Sequence, residues 1–250
     1  MAVHVKTRRE ILGIKDAGRI LAHVLKRMGE AIAPGVKLTE LDEMCEDFIR
    51  SEGGEPTFKG YRGFPAAACI SLNEEVVHGI PDDRKLQEGD LVKVDCGVTR
   101  GGLIADAART FEVGDVGEDK RALSRATEES FWVGIRQARA GNRVSDIGHA
   151  VQTYIENRGY SVVRDLCGHG VGIELHEEPS VPNFGKPGKG IRLEPGMTIA
   201  VEPMVNMGRF EVETMENGWT VVAKDRLPSA HYENTILVTK GEPEILTQHG

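Results

Sequence analysis

Five residues of this 250-residue chain sit in short contexts suited to metal chemistry: Asp95, Asp106, His169, Glu202 and Glu233. Together they offer four carboxylates and one imidazole. That donor set suits a pair of oxygen-loving divalent cations. A structural zinc site would draw on thiolates and several histidines, and calcium would usually recruit a contiguous acidic loop, which this chain lacks.

The run from Leu91 to Phe111 must position two of the acids. Val92, Val94 and Cys96 alternate with Leu91, Lys93 and Asp95, and the turn Thr99-Arg-Gly-Gly102 separates them from Leu103 to Phe111, a hairpin signature. With the turn centred between Arg100 and Gly101, Asp95 faces Asp106 directly across the ladder. Carboxylates so placed have Cβ atoms about 4.5–5.5 Å apart and repel each other unless a cation lies between them. A bulge would shift that register. The rival reading, two solvated acids on an exposed edge, is weakened by the apolar company of Val92, Val94, Leu103 and Ala105.

His169 lies between glycines, which let the backbone approach a crowded centre, and His176 follows seven residues later. His78 lies in the string Asn73-Glu-Glu-Val-Val-His78. A lone histidine is more often an ordinary polar residue than a ligand, and that reading is applied to His4, His23, His149, His231 and His249. Glu75 and His78 also read Glu-x-x-His, but the di-iron bundle needs a second copy and two further helical glutamates, and neither is present.

The elements around these residues repeat. Residues 35–53 match residues 141–159 at an offset of 106: Leu38 with Val144, Thr39 with Ser145, Leu41 with Ile147, Ile49 with Ile155 and Gly53 with Gly159. Both copies read as one helix, with Thr39 and Ser145 as N-caps and the glycines as stops. Leu86 to Asp95 matches Leu193 to Glu202 at an offset of 107, each a turn and a strand ending on an acid. Further helices are expected near Arg8 to Met28 and Asp119 to Ala140. The chain is therefore α/β (α+β), one domain over 1–250 made of two pseudo-symmetric halves, about 1–115 and 116–250. A pseudo-two-fold would bring Asp95 and Glu202 to one central site.

With 40% hydrophobic and 28% charged residues the chain can bury a sizeable core. No run approaches the roughly 20 apolar residues of a membrane span, and no signal-peptide pattern follows Met1, so a cytoplasmic location is expected. The cysteines Cys45, Cys69, Cys96 and Cys167 form no CxxC pair and read as reduced thiols. A net charge of −8 without clustered Lys and Arg argues against nucleic-acid binding.

The strings Gly60-Tyr-Arg-Gly-Phe-Pro65, Val77-His-Gly-Ile-Pro81, Val94-Asp-Cys-Gly97, Gly168-His-Gly-Val-Gly172, His176-Glu-Glu-Pro179, Val201-Glu-Pro-Met204 and Tyr232-Glu-Asn-Thr235 occur in family order over nearly the whole chain. The sequence resembles the methionine aminopeptidases, within the pita-bread fold they share with Xaa-Pro peptidases and creatinases. That resemblance implies helices packed outside a central, curved, mainly antiparallel sheet. It also implies two divalent ions (Co, Mn, Fe or Zn), with Asp95 on one, Asp106 and Glu233 bridging, and His169 and Glu202 completing the other. Glu202 would act as general base, His176 would contact the carbonyl, and His78 would also meet the substrate. Tyr61, Phe64, Cys69 and Trp219 would line the methionine pocket.

The resemblance further implies release of N-terminal Met from peptides and nascent proteins with a small second residue, a monomer, and transient ribosome contact. Only 31 residues separate Glu202 from Glu233, and no cysteine-rich extension precedes the first helix, as in the compact bacterial-like type I form. Arg62 stands where some members have His, and Leu175 where some have an aromatic. An Xaa-Pro peptidase would share the five ligands but usually carries a large extra N-terminal domain. A non-enzymatic homologue would typically have lost ligands, and a structural metal site would rarely hold four carboxylates and one His.

Overall fold

Apolar residues at helical spacing give the first helix, α1 (Arg8–Ala31), a buried face of Ile14, Leu21, Val24, Leu25 and Met28. Thr7 and Glu10 close its start reciprocally: Glu10 N donates to Thr7 Oγ1 at 3.3 Å and Thr7 N donates to Glu10 Oε2 at 2.6 Å. The computed structural model describes residues 3–248, so the expectation for His249 lies outside the described residues. Three more α-helices follow: α2 (Leu38–Ser51), α3 (Glu118–Ile135) and α4 (Val144–Glu156). Among the described residues no helix is long and apolar enough to cross a membrane.

The repeated helices begin two residues earlier than expected. Lys37 and Arg143 are the N-caps, and Thr39 and Ser145 fall inside the first turn. The cause is the acid at the third helical position, since Lys37 N donates to Glu40 Oε2 at 3.2 Å and Arg143 N to Asp146 Oδ2 at 2.7 Å. Gly53 and Gly159 follow the helix ends with φ of 79° and 82°, as an αL stop requires. α3 stops at Ile135, short of Ala140, because the chain turns there to pair with the far end of the protein through Ala140 N and Thr239 O at 3.2 Å. Tertiary pairing overrides helical periodicity at that point.

Every pairing between named strands is antiparallel among the described residues. The strands pair as four sheets rather than one continuous central sheet. The largest ladder joins Leu91–Arg100 to Leu103–Glu112, with Cys69–Leu72 on the other side of the first strand. Its apolar face, Val92, Val94, Cys96 and Val98, packs under α1 and α2. A five-stranded sheet containing Thr198–Val201, Asn234–Leu237 and Gly168–Gly170 packs under α3 and α4 through Ile199, Val201, Ile236, Phe131 and Ile147. The two sheets meet where Glu233 N donates to Ala108 O at 3.0 Å.

The hairpin register differs from the expected one. Arg100 pairs with Leu103, leaving Gly101 and Gly102 as the loop. Both have positive φ, 58° and 78°, the requirement of a type I′ turn. A turn centred one residue earlier would force that conformation on Arg100, where a side chain opposes it. Asp106 therefore lies opposite Gly97 and Asp95 opposite Ala108. The two acids share a face but meet diagonally, about 7–8 Å apart along the ladder. Asp95 also sits inside its strand rather than at the end, whereas Glu202 directly follows Thr198–Val201.

Matching contacts recur in the two halves of the sequence. Lys37 bridges Lys85 as Arg143 bridges Arg192. Gly35 N donates to Leu86 O at 2.7 Å, and Gly141 N to Leu193 O at 2.9 Å.

The first helix is seated tightly enough to invert a propensity rule. A Cβ on Gly18 would lie 2.1 Å from Leu246 O. Glycine to alanine inside a helix normally gains about 1 kcal/mol, but overpacking costs about 1–3 kcal/mol and a backbone oxygen cannot rotate away. Gly18→Ala should lower the melting temperature; an unchanged or higher value would show that the helix and the C-terminal segment are not held together.

Candidate metal centre and substrate cavity

Each acid is fixed by its backbone. Asp106 N donates to Thr235 Oγ1, and that hydroxyl donates to Asp106 O, both at 2.9 Å. Glu233 O accepts from Arg109 Nη1 at 2.5 Å, while Arg109 Nη2 reaches Asn234 Oδ1 at 2.7 Å. Glu202 O accepts from Asn183 Nδ2 at 2.8 Å. Asp95 is held in the ladder between Cys69 and Ala108. Arg109 and Asn183 are not marked in the sequence, where nothing distinguishes them from other polar residues, and Thr235 is marked there only as the end of the string Tyr232-Glu-Asn-Thr235.

His169 comes from the short strand Gly168–Gly170. A Cβ on Gly168 would lie 2.3 Å from Ala200 O, and one on Gly170 would lie 2.3 Å from Glu178 O, so only glycines let this strand fit between its neighbours. His169 Nδ1 donates to Gly170 O at 2.9 Å, which leaves Nε2 unprotonated and facing Glu202 Oε1 at 3.5 Å and Asp106 Oδ2 at 3.8 Å. A backbone acceptor on the far ring nitrogen is the usual setting of a metal-binding histidine.

The carboxylates are left largely bare, with the Ala107 N–H the one backbone donor on Asp106. Asp95, Asp106 and Glu233 are 8%, 3% and 2% exposed, and Asp95 Oδ1, Asp106 Oδ1 and Glu233 Oε1 have no hydrogen-bond partner. Burial raises the Asp95 pKa to about 7. Burial first, then the charges of neighbouring acids, pushes Asp106, Glu202 and Glu233 well above the carboxylate range. Divalent cations would satisfy the bare oxygens and reverse those shifts. Asp106, His169 and Glu233 present ligand atoms within 4.8 Å of one another, and so do Glu202, His231 and Glu233. The donor set fits divalent metal ions.

A cavity of about 320 Å³ opens onto this cluster. It is lined by the four acids and the one imidazole singled out in the sequence, by His78 and His176, and by Tyr61, Phe64, Cys69 and Trp219. Phe58, Val77, Leu166, Leu175 and Met204 also line it. Phe64 and Trp219 meet edge to face at 5.1 Å. His176 stacks on Tyr61, and its Nδ1 lies 2.9 Å from Tyr61 Oη. Burial, then His169, Arg62 and His78, takes the His176 pKa down to about 3, and burial lowers His78.

Other residues fall elsewhere. Glu75 is held by Leu72 N at 2.8 Å and Arg84 Nη1 at 2.7 Å, away from the cluster, so the Glu-x-x-His string makes no site. His4, His23 and His149 do not line the cavity. His231 differs from the ordinary reading: it is 1% exposed and lies 3.9 Å from both Glu202 Oε2 and Glu233 Oε2.

The sequence profile of metallopeptidase family M24 matches residues 13–240. The chain belongs to metallopeptidase family M24. It is similar to the methionine aminopeptidase of Clostridium perfringens, 50% identical over 97% of this chain and 98% of that one. Methionine aminopeptidase 1 of Bacillus subtilis is 46% identical, with 97% and 98% covered. Among solved structures, a methionine aminopeptidase from Thermotoga maritima superposes with a TM-score of 0.97 at 42% identity, covering 99% of this chain and all of that one. A prolidase from Pyrococcus furiosus, 24% identical with a TM-score of 0.80 over 98% of this chain and 66% of its own, shares the fold. The pita-bread architecture of this M24 chain follows, and M24 membership implies divalent metal binding.

The crowding of acids makes metal a stability term. At about a hundredfold excess over Kd a ligand adds about 2.7 kcal/mol, and for a domain of this size each kcal/mol moves Tm by about 2–4 °C. Manganese should raise Tm by about 5–10 °C and chelation should reverse it. In the chelated protein, Asp95 has its folded pKa raised from 3.8 to about 7. Its contribution is intact below the unfolded value and lost as pH rises through about 7. Thermal scans in which manganese leaves Tm unmoved would refute the metal reading of this cluster.

Proposed function

We propose that this protein is a methionyl aminopeptidase that releases N-terminal methionine from peptides and nascent proteins whose second residue is small. The observation that carries this reading is a buried acidic cluster in a cavity that is also lined by an apolar and aromatic group, Phe58, Tyr61, Phe64, Cys69, Leu175 and Trp219, with His78 and His176 beside it. Relatives at 45–50% identity over nearly the full chain bear the same name. Asp95, Asp106, His169, Glu202 and Glu233 would hold two divalent ions, of Co, Mn, Fe or Zn, chosen by availability. When bound, these ions supply Lewis acidity toward water and the scissile carbonyl.

The remaining roles belong to the chain. Glu202 takes the proton of the attacking water, since it is the cluster acid that ends a strand at the cavity. His176, kept neutral by burial, accepts the Tyr61 hydroxyl proton at Nδ1, and this fixes an Nε2–H free to donate to the carbonyl oxygen as negative charge develops. His78 contacts the substrate backbone. Tyr61, Phe64, Cys69 and Trp219 receive the unbranched, polarizable Met side chain. The acids attract the free α-amino group, so blocked termini are excluded. We read the chain as one catalytic unit of two related halves, about 1–115 and 116–250, a reading supported by the recurring bridges of Lys37 and Arg143. It works as a monomer in the cytoplasm, in transient contact with the ribosome and with neither nucleic-acid specificity nor a membrane anchor.

Glu202→Gln keeps shape but removes basicity. Turnover should fall by about two to four orders of magnitude, measured with metal content checked by mass spectrometry. Near-normal turnover at full occupancy would move the base to Glu233.

Specificity gives the broader test. With manganese present, Met-Ala-Ser, Met-Gly and Met-Ser peptides should be cleaved efficiently, and Met-Lys, Met-Phe, formyl-Met-Ala and Ala-Pro poorly. Comparable rates on Leu-Ala and Met-Ala, or on Met-Phe and Met-Ala, would indicate a broad aminopeptidase; preference for Ala-Pro would indicate an Xaa-Pro peptidase.

A further inference from the structure

His231 is a fully buried imidazole whose two ring nitrogens lack any hydrogen-bond partner. Its Nε2 stands 3.9 Å from Glu202 Oε2 and 3.9 Å from Glu233 Oε2, equidistant from two acids of the cluster. The ring is not free to leave. His231 N donates to Thr110 Oγ1 at 2.9 Å, the same hydroxyl donates to His231 O at 2.8 Å, and the strand Ser229–His231 is paired with Met204–Asn206, His231 opposite Met204. An unpartnered polar ring so held has its use toward the acids it faces.

We propose that His231 is a positioning residue of the metal centre: its Nε2–H is shared between the Glu202 and Glu233 carboxylates and sets the orientation in which they bind metal. This rests on the assignment of those two acids as ligands. The alternative, that His231 is itself a ligand, fits less well. His169 shows the ligand pattern, with its far nitrogen donating to a backbone carbonyl, and His231 Nδ1 has no such acceptor. With the proton on Nε2, only an acceptor at Nδ1 stays unmet. The opposite tautomer would bury an unmet N–H donor, the rarer and costlier case. The carboxylates need to close by about 1 Å to reach hydrogen-bond distance, a small rotation for two oxygens that nothing else restrains.

The test compares Mn²⁺ affinity by isothermal calorimetry in wild type, His231→Gln, which keeps an N–H donor, and His231→Leu, which keeps bulk without one. Loss of such an outer partner typically weakens metal affinity about 10–100-fold. His231→Leu should show that loss, and His231→Gln should restore affinity close to wild type. Equal affinity in all three, or equal loss in both variants, would overturn the proposal. Wild type that binds no Mn²⁺ would instead overturn the ligand assignment beneath it. Should His231→Leu fail to fold, ¹⁵N-histidine spectra of the zinc-loaded wild-type protein decide: a protonated Nε2 on His231 is expected, and a metal-bound Nε2 would make it a ligand and refute the positioning role.

Discussion

Mutual repulsion among four buried carboxylates is the constraint on which this structure turns. Two like charges about 4 Å apart at an effective dielectric of about 20 repel by about 4 kcal/mol, so the acids stay together only if the surrounding chain cannot yield. The restraint is applied at the backbone: Thr235 grips Asp106, Arg109 and Ala108 hold Glu233, and Asn183 holds Glu202. The carboxylate oxygens receive no comparable restraint. Buried acids elsewhere are treated in the opposite way. Glu75 is satisfied by Leu72 N and Arg84, and half-buried Asp42 by the N–H groups of Ala67 and Ala68. Asp106 keeps one backbone donor, the Ala107 N–H, but Asp95 Oδ1, Asp106 Oδ1 and Glu233 Oε1 have none, and oxygens left so on a fixed frame suit a divalent cation.

The same frame shapes the cavity. Cys69 lies opposite Asp95 in the ladder, so the strand that fixes an acid also sets one wall of the pocket. Asp42 anchors that strand's approach through Ala67 and Ala68. His78 and Arg62 hold positive φ, 59° and 48°, in segments that border the cavity. Non-glycine residues in that region cost about 1–3 kcal/mol each, and both are side chains that face the site. Backbone strain thus coincides with the surfaces a substrate would touch.

Much of this was legible because the acids and glycines carry strong local signals. The helices and the repeated turn-and-strand segments follow from local patterns, whereas the antiparallel sheet and the place of His169 and Glu233 beside Asp95, Asp106 and Glu202 came from the resemblance; the structure brings the five residues to one cavity. What failed did so where a local preference met a competing contact. The hairpin turned at Gly101 and Gly102 rather than a residue earlier, because two adjacent glycines take positive φ more cheaply than Arg100. Thr39 and Ser145 lost the cap to acids one residue further on. His231 was read as ordinary because lying two residues from Glu233 is no signal by itself, and its other partners, Glu202 and Thr110, are 29 and 121 residues away in sequence.

The substrate side of the cavity depends on an equally remote contact. Glu177 directly follows His176; its Oε1 accepts from Ile173 N at 2.7 Å and Glu174 N at 2.9 Å, and its Oε2 pairs with Lys6. Lys6 is itself fixed by its N–H on Gly196 O at 2.9 Å, and its ammonium is almost wholly buried. Breaking such a pair from one side leaves an uncompensated buried charge, which costs about 3–5 kcal/mol. The loop that carries His176 is therefore braced by a lysine that precedes the first helix. The placement of His176 is thus set by the two ends of the chain's first 177 residues acting together, as the placement of the acids is set by strands distant in sequence.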